Sequence, residues 1–160
     1  LLTGLKKIKT NYFSIIFADG STNPKEIKNM MIYLNKTNSD FIFGSRYLPG
    51  ASSDDDTIVT LIGNKIFTLL GKIFFKLKIS DILYTYVVGK TKKFNKLNLK
   101  SKDFAICVEL PIIASIKKMK ITDYPCNERS RFSGKKKVNE FVDGFKILKK
   151  MFRLYFNMIW

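Results

Sequence analysis

The apolar positions near the start of the chain predict a strand, a helix and a second strand. Residues 11–18 are a short run of β-branched and aromatic residues that ends at an Asp-Gly pair, which is typical of a buried strand. A helix follows Pro24, with apolar residues three and four positions apart on one face, and residues 40–44 predict the next strand. This order predicts a βαβ unit and a parallel α/β sheet, in which ligands bind where the strands end.

The rest of the chain alternates between apolar helices and short strands. The pattern predicts helices at 57–77, at 104–119 and from about 138 onward, and strands at 84–88 and 120–125. We expect Pro111 to kink or break the second of these helices.

Two of these helices are sharply two-sided. The lysines of helix 57–77 (Lys65, Lys72 and Lys76) fall within an arc of about 40°, and nearly everything else on the helix is apolar. On the last helix the cations Lys146, Lys149, Lys150 and Arg153 share one face, and Phe141, Phe145, Leu148, Phe152 and Ile159 share the opposite one. Helices at a bilayer interface have this pattern, and so do core helices with lysines that reach out to water. Aromatic residues gathered towards Trp160 favour the membrane for the last helix, whereas both interpretations stay open for the middle one.

The length and the charge of the chain limit the classes of protein to which it can belong. The 160 residues suffice for one domain with a core, and a content of 46% hydrophobic and 26% charged residues excludes both a disordered chain and a multi-span membrane protein. No window of about 18 apolar residues is free of charge, so we expect no clear bilayer span. Residues 61–160 carry 22 of the 29 Lys and Arg but only 7 of the 13 Asp and Glu. This excess predicts a polyanionic partner or a membrane surface.

The sequence contains no histidine, which removes several chemistries at once. Ser-His-Asp and Cys-His catalysis, histidine-bound zinc and histidine pH sensing are all excluded. Cys107 and Cys126 have neither a disulfide nor a metal-site spacing, and we expect Cys107 in the core of a protein from a reducing, cytosolic setting. An enzyme of this composition has to work with carboxylates, hydroxyls, backbone amides and cations.

Asp19 and Arg46 each follow a predicted strand, where a ligand would bind. Asp19 is a natural ligand for Mg²⁺ or Mn²⁺, or else a turn residue that caps the next helix. Arg46 can clamp a phosphate with two hydrogen bonds, or else form a surface ion pair. The aspartates at 54–56 can gather a cation or simply be solvated at a helix N-terminus. The basic segment 127–137 is typical of both nucleic-acid arms and phosphate lids.

Six short motifs occur in an order that resembles the family-2 glycosyltransferases. They are Phe-Ala-Asp-Gly-Ser-x-x-Pro (17–24), Gly-Ser-Arg-Tyr (44–47), Gly-Asn (63–64), Ile-Ser-Asp (79–81), Glu-Leu (109–110) and Arg-x-x-Gly-x-x-Lys (131–137). Within that family they are most similar to the dolichyl- or polyprenyl-phosphate mannosyl- and glucosyltransferases. The resemblance runs over essentially the whole chain, although no single motif decides it.

The resemblance implies an α/β, Rossmann-like nucleotide-diphospho-sugar transferase (GT-A) fold that is incomplete at the N-terminus, because the portion that recognises the base is absent. Residues 1–137 would be the partial catalytic domain and residues 138–160 an amphipathic juxtamembrane helix. The implied activity is transfer of a hexose from a nucleotide sugar to a polyprenyl phosphate or similar membrane-associated acceptor. It implies a divalent metal (Mg²⁺ or Mn²⁺), an anionic membrane surface as partner, and a location at the cytoplasmic face of the membrane, peripheral or anchored by segments beyond these residues. This fragment alone is expected to be inactive if the base-binding half is required.

The resemblance also assigns roles to single residues. Asp19 falls on the last aspartate of the family's Asp-x-Asp metal motif, and Phe17 replaces the first, which leaves one carboxylate helped by Ser21 and the donor diphosphate. Arg46 falls on the arginine that faces the phosphates. Arg131 and Lys137 fall on cations of the loop that closes over the diphosphate and the lipid phosphate.

Further positions are assigned to substrate binding with one departure from the family pattern. Asp81 matches, but Val87 stands where an arginine beside the acceptor site is usual in the family. Asn64 falls in the helix that lies along the membrane in this family, and Arg129 belongs to the cationic loop.

Two alternatives to an active transferase remain. Phe17 and Val87 would suit a catalytically inactive transferase-fold protein that still binds nucleotide sugars or lipids. The basic second part would suit a nucleic-acid-binding domain, but the sequence has no recognisable reading element, so we expect no nucleic-acid partner.

Overall fold

The structure, a computed structural model, describes residues 2–5, 7–133 and 138–159. Its helices are α1 (Leu2–Leu5), α2 (Glu26–Lys36), α3 (Ile58–Phe75), α4 (Thr91–Phe94), α5 (Ile106–Ile116) and α6 (Glu140–Ile159). Its strands are β1 (Tyr12–Ile15), β2 (Phe41–Ser45), β3 (Ser52–Ser53), β4 (Val87–Lys90), β5 (Ile121–Pro125) and β6 (Asn127–Glu128). The fold is therefore of the mixed α/β class.

The main sheet is mixed, so the prediction of a parallel sheet is wrong. Its strand order is β1-β4-β2-β5, and β4 runs antiparallel to both of its neighbours while β2 and β5 are parallel. The segment before and within β4 is buried on both sides, which suits a central strand. Gly89 lies opposite both Phe13 and Phe41, and a Cβ there would overlap the Phe41 ring. β1 and β2 still point the same way, because each is antiparallel to β4.

The sheet separates two hydrophobic clusters, which makes three layers. On one face, Met30 and Leu34 of α2 pack against β2 and β4. On the opposite face, a larger cluster contains side chains of α5, α6 and the end of α3, such as Leu110 and Met151, and α6 packs on α5 and α3. Side chains alternate between the two clusters along β2 and β4, as expected for strands covered on both sides.

Helix α3 begins and ends close to where the sequence predicts. The hydroxyls of Thr57 and Thr60 form a reciprocal capping box at its start, and Lys76 ends it in the left-handed conformation with φ 53°. Helix α5 continues through Pro111, so of the two expected effects the break is absent, and the kink stays a prediction. Pro111 and its neighbours Leu110 and Ile112 are buried, and that packing offsets the cost of about 3 kcal/mol for an interior proline.

A second, two-stranded sheet was not foreseen from the sequence. β3 pairs in parallel with β6, with Ser53 opposite Glu128. This pairing brings the acidic segment 54–56 beside the basic segment that follows β5.

Candidate functional site

Three strand ends meet at one edge of the main sheet and carry the candidate residues. β1, β2 and β5 run in the same direction, and their carboxyl ends lead to Asp19, to Arg46 and to Glu128. The expectation that Asp19 and Arg46 lie at the same edge is therefore confirmed.

Arg46 lies in a buried network of carboxylates. Its Nε donates to Asp81 Oδ2 at 2.7 Å and its Nη2 to Asp81 Oδ1 at 3.0 Å, which is a bidentate pair. Its Nη1 donates to Glu128 Oε2 at 3.1 Å. The guanidinium also lies 4.8 Å from the centroid of the Tyr84 ring, a cation–π distance. Burial alone would lower the pKa of Arg46, but Asp81 and Glu128 raise it well above its usual range, so the side chain stays charged.

Asn64 holds Asp81 from the inner side of α3. Its Nδ2 donates to Asp81 Oδ1 at 2.6 Å, and its Oδ1 accepts from the Leu83 backbone N–H at 3.2 Å. One turn further on, Thr68 Oγ1 accepts from the Ile82 N–H at 3.2 Å. Asn64 and Asp81 are each 1% exposed, so in this structure Asn64 contacts the site through Asp81, and its role in substrate binding stays a prediction.

Asp56 connects the start of α3 to the network of carboxylates around Arg46. The hydroxyls of Tyr47 and Thr60 both donate to the Asp56 carboxylate, which lies 4.0 Å from Arg46 Nη1. Burial and the hydrogen bond to Asp56 raise the pKa of Tyr47 above its usual range, so the phenol remains protonated.

Asp19 forms a second, more open cluster with Arg131 and Asp55. Arg131 Nη1 lies 3.3 Å from Asp19 Oδ2, and Arg131 Nη2 donates to Asp55 Oδ2 at 2.9 Å. Asp19 Oδ1 also accepts from the Ser21 backbone N–H at 3.1 Å. Partial burial raises the pKa of Asp19, but hydrogen bonds from Ser21 and the charge of Arg131 bring it below its usual value. The carboxylate is therefore ionised at neutral pH.

The segment after β6 joins the two clusters into one site. The Arg129 N–H donates to the Ser21 carbonyl and the Phe132 N–H to the Asp19 carbonyl, each at 2.9 Å. Gly20 has φ +82° and its hydrogens face the Phe132 backbone and Cβ, where an added Cβ would lie 3.0 Å from Phe132 Cβ. Glu128, which directly precedes Arg129 in the chain, contacts Arg46. One short segment, residues 128–132, therefore contacts both Arg46 and the turn that carries Asp19.

The structure places the predicted site residues that it describes in two neighbouring clusters, where their roles stay predictions, and it adds three residues to these clusters. Asp19, Ser21 and Arg131 lie in one cluster, and Arg46, Asn64 and Asp81 lie in the other. Arg129 joins the first cluster through its backbone N–H while the residue is exposed, and Lys137 lies outside the described residues. The roles of Tyr47, Asp55 and Glu128 were missed. Asp55 was visible as part of an acidic run, but nothing in the sequence singles out Glu128 within its basic surroundings.

The described residues of the site provide few side chains that could bind a metal ion. No group of three or more acidic or cysteine side chains that could hold a metal occurs within residues 2–5, 7–133 and 138–159. Asp19 is one carboxylate, and both of its oxygens already have partners. That arrangement fits Mg²⁺ or Mn²⁺ only if the ion arrives with phosphate and water ligands, as Mg²⁺ commonly does with nucleotides.

The chain matches no protein-family model and no curated protein. The function is therefore inferred from its residues and their geometry.

Proposed function

We propose that this protein is a family-2 type glycosyltransferase with the GT-A fold. It would move a hexose from a nucleotide diphosphate sugar to a polyprenyl phosphate or a similar lipid-linked acceptor, at the cytoplasmic face of a membrane. The observation that carries the proposal is the position of the Asp19–Arg131–Asp55 cluster. It lies where the strands end, and Asp55 belongs to the loop that leads into α3, a helix whose outer face is apolar.

The proposed transfer reaction depends on stabilising the charge of the leaving group rather than on proton transfer. The acceptor phosphate oxygen is already anionic, so it attacks the anomeric carbon of the sugar without a general base. The bond from that carbon to the diphosphate breaks, and the nucleoside diphosphate leaves with both electrons. Cations placed at the leaving group stabilise the negative charge that develops there, which is often the largest catalytic contribution.

Arg131 is the cation best placed for this role. Its side chain is 25% exposed, whereas that of Arg46 is 11% exposed, and its two carboxylate partners come from the turn after β1 and from the loop between β3 and α3. In the proposed reaction its guanidinium moves from Asp55 to the diphosphate. Asp19 would then hold a Mg²⁺ or Mn²⁺ that enters with the donor and that neutralises part of the diphosphate charge.

The other assigned residues support the site from behind. Arg46 neutralises Asp81 and Glu128, and it contacts a phosphate only if it leaves one of them, so its role at the phosphates stays a prediction. The roles of Ser21, Asp81 and Arg129 in substrate binding and of Lys137 in closure stay predictions as well.

The experiment measures sugar transfer by the purified protein. Radiolabelled GDP-mannose or UDP-glucose is supplied with polyprenyl phosphate and Mg²⁺, and the label in the lipid extract is counted. We expect Asp19→Asn to lower transfer by about 100-fold or more, the loss typical of removing one electrostatic contact to a transition state. The matched control is Asp54→Asn, the same change at the neighbour of Asp55, whose exposed side chain should be dispensable. Full activity of Asp19→Asn, or no lipid-linked product from the wild type with either donor, would refute the proposal.

One observation favours a second candidate, a transferase-fold protein that binds nucleotide sugars without turnover. Both Arg46 and Arg131 are already neutralised by carboxylates of the protein itself. Equilibrium binding of the same two donors, measured together with product formation, separates the candidates, because the binding protein would saturate with donor and form no product.

A further inference from the structure

Helix α3 buries polar residues and exposes apolar ones, the reverse of an ordinary surface helix. Its buried residues are Asn64, Thr68, Gly71 and Phe75. Its outer face consists of Ile58, Ile62, Ile66, Leu69 and Ile73, each between 52% and 76% exposed. Burying polar groups is favourable here because Asn64 and Thr68 bond Asp81 and two backbone amides. The apolar stripe has no such compensation and faces outward.

Helix α6 exposes a second apolar stripe. It packs on the core through Ile147, Met151 and Leu154, each at most 7% exposed. A separate face carries Phe141, Phe145, Phe152, Phe156 and Ile159, each at least 52% exposed. Aromatic residues this exposed along several turns mark an interaction surface.

The two helices lie side by side and run in the same direction. Phe67 of α3 lies 3.9 Å from the Cβ position of Gly144 of α6, and further along the Phe74 ring lies 5.1 Å from the Tyr155 ring, centroid to centroid. Between them runs an apolar groove of about 100 Å³, lined mainly by Leu70, Phe74, Leu148, Phe152 and Phe156. The groove makes the two stripes one continuous apolar surface.

Cations border this surface on both outer sides. Going round α3 away from the groove, the order is the apolar stripe, then Lys65, Lys72 and Lys76, then the buried face. Going round α6 away from the groove, the order is the aromatic stripe, then Lys149, Arg153 and Lys146, then the buried face. The surface is therefore apolar in the middle and positive at its edges.

We infer that α3 and α6 together form a docking surface for an anionic lipid leaflet and lie in its plane, with the groove seated on the acyl chains. An apolar stripe bordered by lysines matches a hydrocarbon layer beneath negative headgroups. In a two-fold dimer through this surface, by contrast, the cationic borders would approach each other. The inference names the membrane partner of the proposed function, but it does not depend on sugar transfer.

Docking in the plane differs from spanning the bilayer. Among the described residues α3 is long and apolar enough to cross a membrane, with 18 residues and a mean hydropathy of 1.6. Crossing would pull Asn64 and Thr68 away from Asp81 and the backbone of the 82–83 segment and place them in hydrocarbon, where each unsatisfied group costs several kcal/mol. A helix α3 that lies in the plane of the membrane keeps the hydrogen bonds of Asn64 and Thr68. It also sets the Asp81–Arg46 pair about one helix diameter, roughly 10 Å, from the lipid-facing side, which is the level of the headgroups.

The experiment is vesicle flotation of the purified protein. Phosphatidylcholine vesicles are compared with vesicles that also contain phosphatidylglycerol, at low and high salt. We expect flotation only with the anionic vesicles, weakened by salt. The variants Ile66→Glu and Phe152→Glu on the two stripes, and Lys149→Glu at the border, should each lower partition by about ten-fold or more.

Matched controls lie on α2, across the sheet. Ile32 is 58% exposed, so Ile32→Glu places the same charge on an equally exposed isoleucine outside the surface, and Lys28→Glu matches the border variant. Both should float like the wild type. Circular dichroism confirms that each variant is folded.

Each other outcome overturns a stated part of the inference. Equal loss in the α2 controls, or equal flotation of all variants, would show that α3 and α6 do not form the contact. Resistance of the bound protein to alkaline carbonate would show a spanning helix. Self-association abolished by Ile66→Glu, without vesicle binding, would show that a second copy covers the surface. Flotation without sugar transfer would overturn the proposed function and leave the docking surface intact.

Discussion

The change Arg46→Met tests whether the ion pairs that Arg46 forms with Asp81 and Glu128 are shielded from water. The side chain of Arg46 is 11% exposed, that of Asp81 is 0% exposed and that of Glu128 is 8% exposed. Arg46→Met removes the guanidinium that lies between these two carboxylates and leaves both of them buried and charged. Breaking a buried ion pair by removing one partner costs about 3–5 kcal/mol.

This loss is large compared with the stability of a domain. Native domains unfold with about 5–15 kcal/mol, and in a chain of this size each kcal/mol shifts the melting temperature by about 2–4 °C. We therefore expect Arg46→Met to melt roughly 10 °C below the wild type, measured by circular dichroism and by urea unfolding. Arg46→Lys keeps the charge but loses the bidentate geometry, so it should fall between the two.

Two comparisons make the result specific. Lys93 also pairs with a carboxylate, Asp40, at 3.3 Å, but its side chain is 42% exposed, so Lys93→Met should cost about 1 kcal/mol or less. In a double-mutant cycle, Arg46→Met and Asp81→Asn together should cost less than the sum of the single changes, because the second removes a charge that the first leaves unpaired. An Arg46→Met variant within about 1 kcal/mol of the wild type, or strictly additive costs, would refute the reasoning.

Three further predictions concern an ion pair and two glycines in other parts of the fold. Burial would raise the pKa of Glu109, but Lys150 at 2.7 Å and the backbone amides of the preceding loop bring it below its ordinary value of 4.5. The ionised Glu109 therefore contributes its full stabilisation of the folded state at pH values above 4.5, and this contribution is lost as the pH falls through the lowered pKa. Glu109→Gln should remove this part of the pH dependence of the unfolding free energy and speed hydrogen exchange in α6. Gly89→Ala should destabilise the sheet by about 1–3 kcal/mol in urea unfolding, because its Cβ would overlap the Phe41 ring. Gly63→Ala in α3, where a Cβ meets no atom within 4 Å, should instead stabilise by about 0.5–1 kcal/mol, and equal effects of the two changes would contradict this account.

The local elements were predictable, but their pairing was not. Strands predicted at 40–44 and 120–125 occur at Phe41–Ser45 and Ile121–Pro125, because a short apolar run is a local signal. The position of β4 between β1 and β2 depends on contacts between distant segments, and a run that is apolar on both faces does not reveal the direction in which it pairs. The same limit applied to Arg46. Its placement after a strand was visible, whereas its partners Asp81 and Glu128 lie 35 and 82 residues away.

By itself, the sequence determined which residues share a helix face and which side chains follow a strand. These relations depend only on the periods of the helix and the strand. Only the tertiary structure decided which face of α3 points inward. The apolar stripe is the broader one, and burial of apolar area alone would have turned it towards the core. The buried carboxylate of Asp81 and the free amides of Ile82 and Leu83 need partners, and Asn64 and Thr68 supply them, so the polar face lies inside and the isoleucines lie outside.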